Sequence, residues 1–124
     1  MEEARYLGTR GRTAEEPPGE PVVIAIDLDE VDLSNAAQLE QVLVDTTRGP
    51  APVIADFGGV RFMSSSGATA LIRAHTALQQ QGATLLLAAC VPSVTRVITL
   101  CGLDPLIPCL PTVEEARQAL AEVR

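Results

Sequence analysis

The sequence has 124 residues, enough for one domain with a single core. Hydrophobic residues make up 47% and aromatic residues only 2%, so the core must consist of Val, Ile, Leu and Ala. The formal net charge is −7, and all nine basic residues are Arg. Nucleic acid is therefore a poor candidate partner, and the lack of Lys excludes a Walker-type phosphate site and a Schiff base.

The cysteines and the single histidine do not form a recognisable site. Cys90, Cys101 and Cys109 are an odd number and, with His75, show no metal-ligand spacing. We therefore expect no disulfide scaffold, no metal and no cofactor. The N-terminus is acidic where a signal peptide would be basic, and the longest apolar run, 85–91, is too short to span a bilayer. These features predict a cytoplasmic protein without a membrane segment.

Residues 1–20 mix charges with Gly and Pro and contain little to bury. We predict a flexible N-terminal tail there, with residues 4–7 as a candidate edge strand, and one domain over 21–124.

The domain begins with a predicted strand over 21–27, a β-branched run opened by Pro21. Apolar residues then recur at helical spacing over 39–46, and this helix ends at 48–50. Its cap candidates are Asp32, Ser34 and Asn35. A second strand is predicted over 51–57.

The serine-rich segment 62–71, FMSSSGATAL, follows and leads into a predicted helix that stops at Gly82. A third strand is expected over 83–90, then a short helix opened by Pro92 and a brief strand within 105–110. Thr112 and Glu115 have the spacing of a capping box at the start of a terminal helix.

The predicted order is therefore β, α, β, α, β, α, β, α. The strands are continuous apolar runs, which is typical of a sheet covered on both faces. We expect an α/β domain with a mixed, mostly parallel sheet and about four helices.

This pattern has two alternative interpretations, a serine hydrolase and a receiver-type phosphoacceptor. A serine hydrolase needs G-x-S-x-G, which is absent around Ser64, Ser65 and Ser66, and His75 lies too far along the predicted helix to reach them. A receiver-type phosphoacceptor at Asp56 fits the strand order, but receivers also use a lysine. We therefore predict no enzyme activity and keep the receiver as a minor alternative.

The three serines also allow a structural role. A serine hydroxyl accepts hydrogen bonds from free N–H groups in the first turn of a helix, so we expect one or two serines, Ser66 among them, to belong to a cap. The same helix end attracts phosphate, and Gly67 would let another protein approach the backbone.

Two segments together resemble a known family. The segment 29–43, DEVDLSNAAQLEQVL, and the segment 53–75, which contains FMSSSGATAL, resemble the STAS domain, the fold of bacterial anti-sigma factor antagonists and of the cytoplasmic part of sulphate transporters. The first signature is met by Asp32, Ala36 and Leu39, and the resemblance covers about residues 21–122.

The resemblance implies a binding protein switched by phosphorylation. In this family an anti-sigma factor that is also a kinase phosphorylates a serine, which releases the antagonist, and a serine phosphatase resets it. The position of that serine corresponds to Ser65, with Ser64 and Ser66 as alternatives. The resemblance implies that the following residues contact the partner: Asp32, Ser34, Asn35, Ser64, Ser65, Ser66 and Gly67.

This sequence departs from the family pattern at three positions. Ser64 stands where the family has Asp, Asp29 stands in place of the signature Gly, and Ala68 replaces a common Leu. The loss of a carboxylate beside Ser65 leaves open a STAS scaffold without phosphorylation.

The cysteines permit one more hypothesis, redox regulation. Cys90 and Cys109 each fall near the end of a predicted strand, and a bridge between them is feasible only if those strands are neighbours. The alternative is that both are small buried hydrophobic residues.

Overall fold

The computed structural model describes residues 20–123, so the predicted tail and the candidate strand at 4–7 lie outside the described residues. The elements within the described part are β1 (Val22–Ala25), β2 (Glu30–Val31), α1 (Ala36–Asp45), β3 (Val53–Asp56), β4 (Phe62–Met63), α2 (Ser65–Gln80), β5 (Leu85–Ala88), α3 (Pro92–Leu100), β6 (Cys109–Leu110) and α4 (Val113–Val123). No helix in this part of the chain is long and apolar enough to cross a membrane.

The main sheet has four strands in the order β1-β3-β5-β6, and every pairing is parallel. Its three longest strands are short apolar runs rich in Val, Ile and Leu, which suit a pleated, buried surface. The α/β class and the four helices are confirmed.

A second sheet was missed by the sequence analysis. The strands β2 and β4 pair in parallel, with Glu30 opposite Phe62 and Val31 opposite Met63. The predicted eight-element order is therefore wrong by two strands. Each has only two residues, too few for a period-2 pattern to be recognised.

The main sheet is covered on both faces, as the continuous apolar runs predicted. Val53, Ala55, Leu85 and Leu87 belong to a core shared with α1, α2 and α3. The alternating residues on β3 and β5 face the other way and pack with Ala116 and Leu120 of α4. Three helices therefore cover one face, and α4 covers the other.

The helix ends follow the predicted stop and start signals. Gly82 has φ +81 just after α2, in the left-handed region that glycine tolerates best. Pro92 is the first residue of α3. Thr112 Oγ1 accepts a hydrogen bond from the Glu115 N–H at 3.0 Å, which caps α4.

Candidate functional site

The serine segment forms the start of α2, and Ser64 is its N-cap. Ser64 Oγ accepts a hydrogen bond from the Ser66 N–H at 3.2 Å. The expectation that Ser66 contributes a capping hydroxyl is therefore corrected: Ser66 supplies the N–H donor, because the N-cap is Ser64, two residues earlier than that assignment required. The residue that replaces the family's carboxylate thus has a structural role.

Ser65 is the first residue of α2, and its side chain is exposed. Within residues 20–123 its hydroxyl has no hydrogen-bond partner, whereas its carbonyl oxygen accepts from Thr69 Oγ1 at 3.2 Å. The hydroxyl lies at the positive end of a sixteen-residue helix. It is therefore accessible and stands where a phosphate would be favoured.

The loop that follows β2 is ordered around Asp32. Asp32 Oδ1 accepts hydrogen bonds from Ser34 Oγ at 2.6 Å and from the Ser34 N–H at 2.9 Å. The Ser34 hydroxyl, followed by its backbone N–H, lowers the pKa of Asp32 below its usual value. Asp32 therefore carries a full negative charge at neutral pH.

Asn35 fastens the same loop to β2. Its Oδ1 accepts from the Asp32 N–H at 2.9 Å, and its Nδ2 donates to the Glu30 carbonyl oxygen at 2.8 Å. Asn35 is at the N-cap position of α1, but its side chain makes no capping bond to the helix. The predicted cap role of Asp32, Ser34 and Asn35 is corrected. The Asp32 carboxylate bonds to Ser34, and the Asn35 side chain bonds to the backbone of the loop and of β2.

The two-stranded sheet brings these two loops together. Beyond the pair Val31–Met63, the next residues are Asp32 on one strand and Ser64 on the other, and the Ser64 N–H donates to the Val31 carbonyl oxygen at 2.8 Å. Neighbouring strands lie about 4.8 Å apart. The structure therefore places the Asp32 loop beside the start of α2.

Gly67 has a different role from the one inferred from the sequence. It is buried, and a Cβ at this position would lie 2.4 Å from Met63 Cγ and 2.9 Å from Val31 Cγ1. The interpretation that its missing side chain admits a partner is corrected, because α2 packs against the small sheet on that side.

Two exposed apolar residues at this site were missed by the sequence analysis. Leu33, next to Asp32, is 85% exposed, and Phe62, which pairs with Glu30, is 48% exposed. The available signals were an apolar residue inside the polar loop 32–35 and one of only two Phe in the chain, two residues before the first of the three serines. We call Asp32, Leu33, Phe62 and Ser65 the Ser65 surface.

The remaining candidate residues lie elsewhere. Asp56 ends β3 in the main sheet, and its Oδ1 accepts from the Gly58 N–H at 2.9 Å. His75 is only 8% exposed. It shares the buried face of α2 with Leu71 and Leu78, and its Nδ1 has no hydrogen-bond partner among residues 20–123.

Cys90 lies two residues beyond the carboxyl end of β5, and Cys109 is the first residue of β6, both outside the small sheet that carries the serine loop. The strands are neighbours, so the condition set by the sequence analysis for a bridge is met. Both thiols are free and half-buried, whereas Cys101 is exposed at the end of α3.

Comparison with known proteins agrees with this architecture. The STAS domain family model matches residues 13–116. An anti-sigma-factor antagonist (STAS) domain protein from Planctomyces limnophilus has a TM-score of 0.71 at 22% identity, over 80% of this chain and 89% of that one. An anti-sigma factor antagonist from Mycobacterium paratuberculosis has a TM-score of 0.66 at 27% identity, over 86% and 90%.

The same fold occurs in a transporter. The STAS domain of a SulP transporter from Vibrio cholerae has a TM-score of 0.66 at 23% identity, covering 87% of each chain. No curated protein sequence matches this chain significantly. Since the family model spans most of the sequence and the sheet and helices superpose on these structures, the chain belongs to the STAS domain family.

Proposed function

We propose that this STAS domain is an anti-sigma factor antagonist that acts in the cytoplasm. It binds an anti-sigma factor of the serine-kinase type, which frees the sigma factor, and it has no catalysis of its own. Phosphorylation of Ser65 by that kinase ends the complex, and a serine phosphatase restores it. The observation that carries this proposal is the exposed Ser65 hydroxyl, without a partner among residues 20–123, beside the ordered Asp32 loop.

The geometry favours Ser65 over its neighbours as the phosphoacceptor. Ser64 Oγ accepts a hydrogen bond from the Ser66 N–H, so phosphorylation of Ser64 would disrupt the helix cap. Ser64 and Ser66 are also half-buried, whereas Ser65 is exposed. Ser65 is therefore accessible even though Ser64 replaces the carboxylate of the family.

The Ser65 surface has the chemistry of a protein-binding site. Leu33 and Phe62 offer apolar area that the fold leaves uncovered, and the exposed Asp29 and Glu30 lie beside them with Asp32. Partly apolar patches with a charged rim are typical of interfaces. A partner that fits would have an apolar pocket with basic residues around it.

Phosphorylation would act on this interface through charge. A phosphate adds about −1.5 to −2 charge at neutral pH, next to the carboxylate of Asp32. A partner surface that accommodates a neutral hydroxyl would then have to desolvate a dianion or move away. A loss of about 1–2 kcal/mol lowers affinity roughly five- to thirtyfold.

The test is to incubate the full chain with ATP and anti-sigma factor kinases from the source cell, followed by phosphopeptide mapping. We expect one acid-stable phosphate on Ser65, which disappears in Ser65→Ala and remains in the matched Ser66→Ala variant. Binding of the unphosphorylated chain to the kinase is measured in parallel.

The alternative functions predict different results in this experiment. Binding without any phosphate on the serines would contradict the switch and support a STAS scaffold. A phosphate that is lost in Asp56→Asn but kept in Ser65→Ala would support the receiver-like alternative. If the unphosphorylated chain did not bind any anti-sigma factor kinase, the proposed partner would be wrong.

A further inference from the structure

We propose that Cys90 and Cys109 are a modification site at which a low-molecular-weight disulfide forms a reversible intramolecular bridge, with Cys109 as the attacking residue. The site lies at the carboxyl end of the main sheet, away from Ser65 in the sequence, and the proposal does not depend on the function proposed above. Its support comes from strand register, backbone conformation and the environment of the two sulfur atoms.

The register alone would place the two side chains on opposite faces. Cys109 pairs with Leu87, and Leu110 pairs with Ala88. Side chains alternate along a strand, so a regular continuation of β5 would put residue 90 on the same face as Ala88. That face packs against α4, whereas Cys109 packs with the opposite core.

The backbone at Ala89 changes this outcome. Ala89 has φ +64, the left-handed region that favours glycine, and it is the one non-glycine residue with positive φ in the described part of the chain. Its N–H still donates to the Leu110 carbonyl oxygen at 3.0 Å, so the chain turns only after this last pairing. Cys90 consequently packs with the same core cluster as Cys109. An unfavourable conformation held by its surroundings is a feature often found at functional positions.

The turn brings the Cys90 and Cys109 side chains next to each other. The Cys90 thiol and the Cys90 backbone N–H both donate hydrogen bonds to Cys109 Sγ. Donation by the Cys90 thiol is the larger effect, and it lowers the pKa of Cys109 to about 7. The hydrogen bond to Cys109 and burial raise the pKa of Cys90. A substantial fraction of Cys109 is therefore a thiolate near neutral pH and can act as the nucleophile. Cys90 stays protonated until it resolves the mixed disulfide.

The reaction is a two-electron thiol–disulfide exchange. Cys109 thiolate attacks one sulfur of the small disulfide, forms a mixed disulfide and releases the other half as a thiolate. Cys90 then loses its proton, and its sulfur attacks Cys109 Sγ and displaces the second half. Two protein thiols are oxidised, one small disulfide is reduced to two thiols, and the protons end on those thiols. The two sulfurs must approach to about 2.05 Å for the bridge to form.

Oxidised glutathione is the probe, applied to the full chain at pH 7 and followed by alkylation and non-reducing peptide mapping. We expect a peptide that joins Cys90 to Cys109, loss of two titratable thiols per chain, and full reversal by dithiothreitol. The bridge should also raise the thermal midpoint, because it closes a loop that contains α3.

Single variants assign the two roles. Cys90→Ser should stop at a glutathione adduct on Cys109, Cys109→Ser should abolish the bridge, and the matched Cys101→Ser variant should behave as the wild type. Glutathione found only on Cys101, or dimers linked through it, would overturn the proposal. So would a wild-type protein that keeps three free thiols, a result that does not depend on any variant folding.

Discussion

At the level of single residues, Ser64 and Ser65 are neighbours of the same type with different environments. Ser64 is partly buried and its oxygen completes the N-cap of α2, whereas Ser65 is exposed and its hydroxyl is unused within residues 20–123. The difference comes from one step in register: Ser64 bonds back to β2 through its N–H, and Ser65 enters the helix. Three consecutive serines in a sequence do not indicate which of them is the N-cap of the helix.

This difference predicts unequal effects on stability. Ser64→Ala removes the cap and should lower the free energy of unfolding by about 1 kcal/mol. Ser65→Ala is the matched control, and it should change that free energy by less than about 0.5 kcal/mol because an exposed hydroxyl without a partner is removed. Urea unfolding followed by circular dichroism measures both. Equal losses would contradict the cap assignment.

Leu33 allows a second test at the residue scale. Leu33→Ala should weaken binding to the anti-sigma factor about five- to thirtyfold, because it removes apolar area that only a partner would bury. Leu100→Ala is the control, since Leu100 is 78% exposed on α3. Neither change should affect folding, and calorimetric titration measures affinity. If the two variants lost affinity equally, the Ser65 surface would not be the contact.

At the level of secondary-structure elements, the pair β2–β4 decides where the site lies. Val31 and Met63 point into the core, while Glu30 and Phe62 on the same two strands are exposed. Alternation over two residues is enough to orient them once the strands pair. The pairing holds the Asp32 loop against α2, and Gly67 lets the helix approach the small sheet closely.

Gly67→Ala tests this packing. The added methyl group would overlap Met63 and Val31, both fully buried, so we expect a loss of about 1–3 kcal/mol in the free energy of unfolding. A gain in helix propensity offsets at most about 1 kcal/mol of this. Gly59→Ala is the control, because its Cβ would meet only the Ile26 carbonyl oxygen, at 3.9 Å, which is an ordinary contact. An unchanged urea midpoint in Gly67→Ala would show that the contact is not tight.

At the level of the whole molecule, three helices on one face of the sheet and α4 on the other give a rigid support for an exposed loop surface. The Ser65 hydroxyl is exposed, lies outside the core and makes no hydrogen bond within residues 20–123. A modification there changes charge and leaves the packing intact. The proposed switch would therefore need no rearrangement of the domain.

Phosphorylation of Ser65 should accordingly leave the global fold unchanged. We expect the thermal midpoint of the phosphorylated chain to lie within about 3 °C of the unmodified one, while affinity for the partner falls at least fivefold. Amide chemical shifts should change only around the Asp32 loop and the start of α2. Shifts throughout α4 would instead indicate a conformational switch.

Sequence patterns predicted those parts of the fold that depend on local chemistry. Apolar runs such as 85–88 identified buried strands, Gly82 and Pro92 marked helix ends, and two short motifs carried the family resemblance. These signals lie within a few residues of each other, because propensity, periodicity and capping act over one or two turns of the chain.

Contacts between distant segments were decided only by the tertiary structure. The pairing of β2 with β4 joins residues about thirty positions apart, and it determines that Ser64 is the cap and that Gly67 faces Met63. Likewise, the sequence by itself identified Cys90 and Cys109 as strand-end thiols. Their proximity depends on the β5–β6 register and on the left-handed turn at Ala89. The register joins distant segments and so has no local signal. The turn has none either, because alanine normally avoids the left-handed conformation.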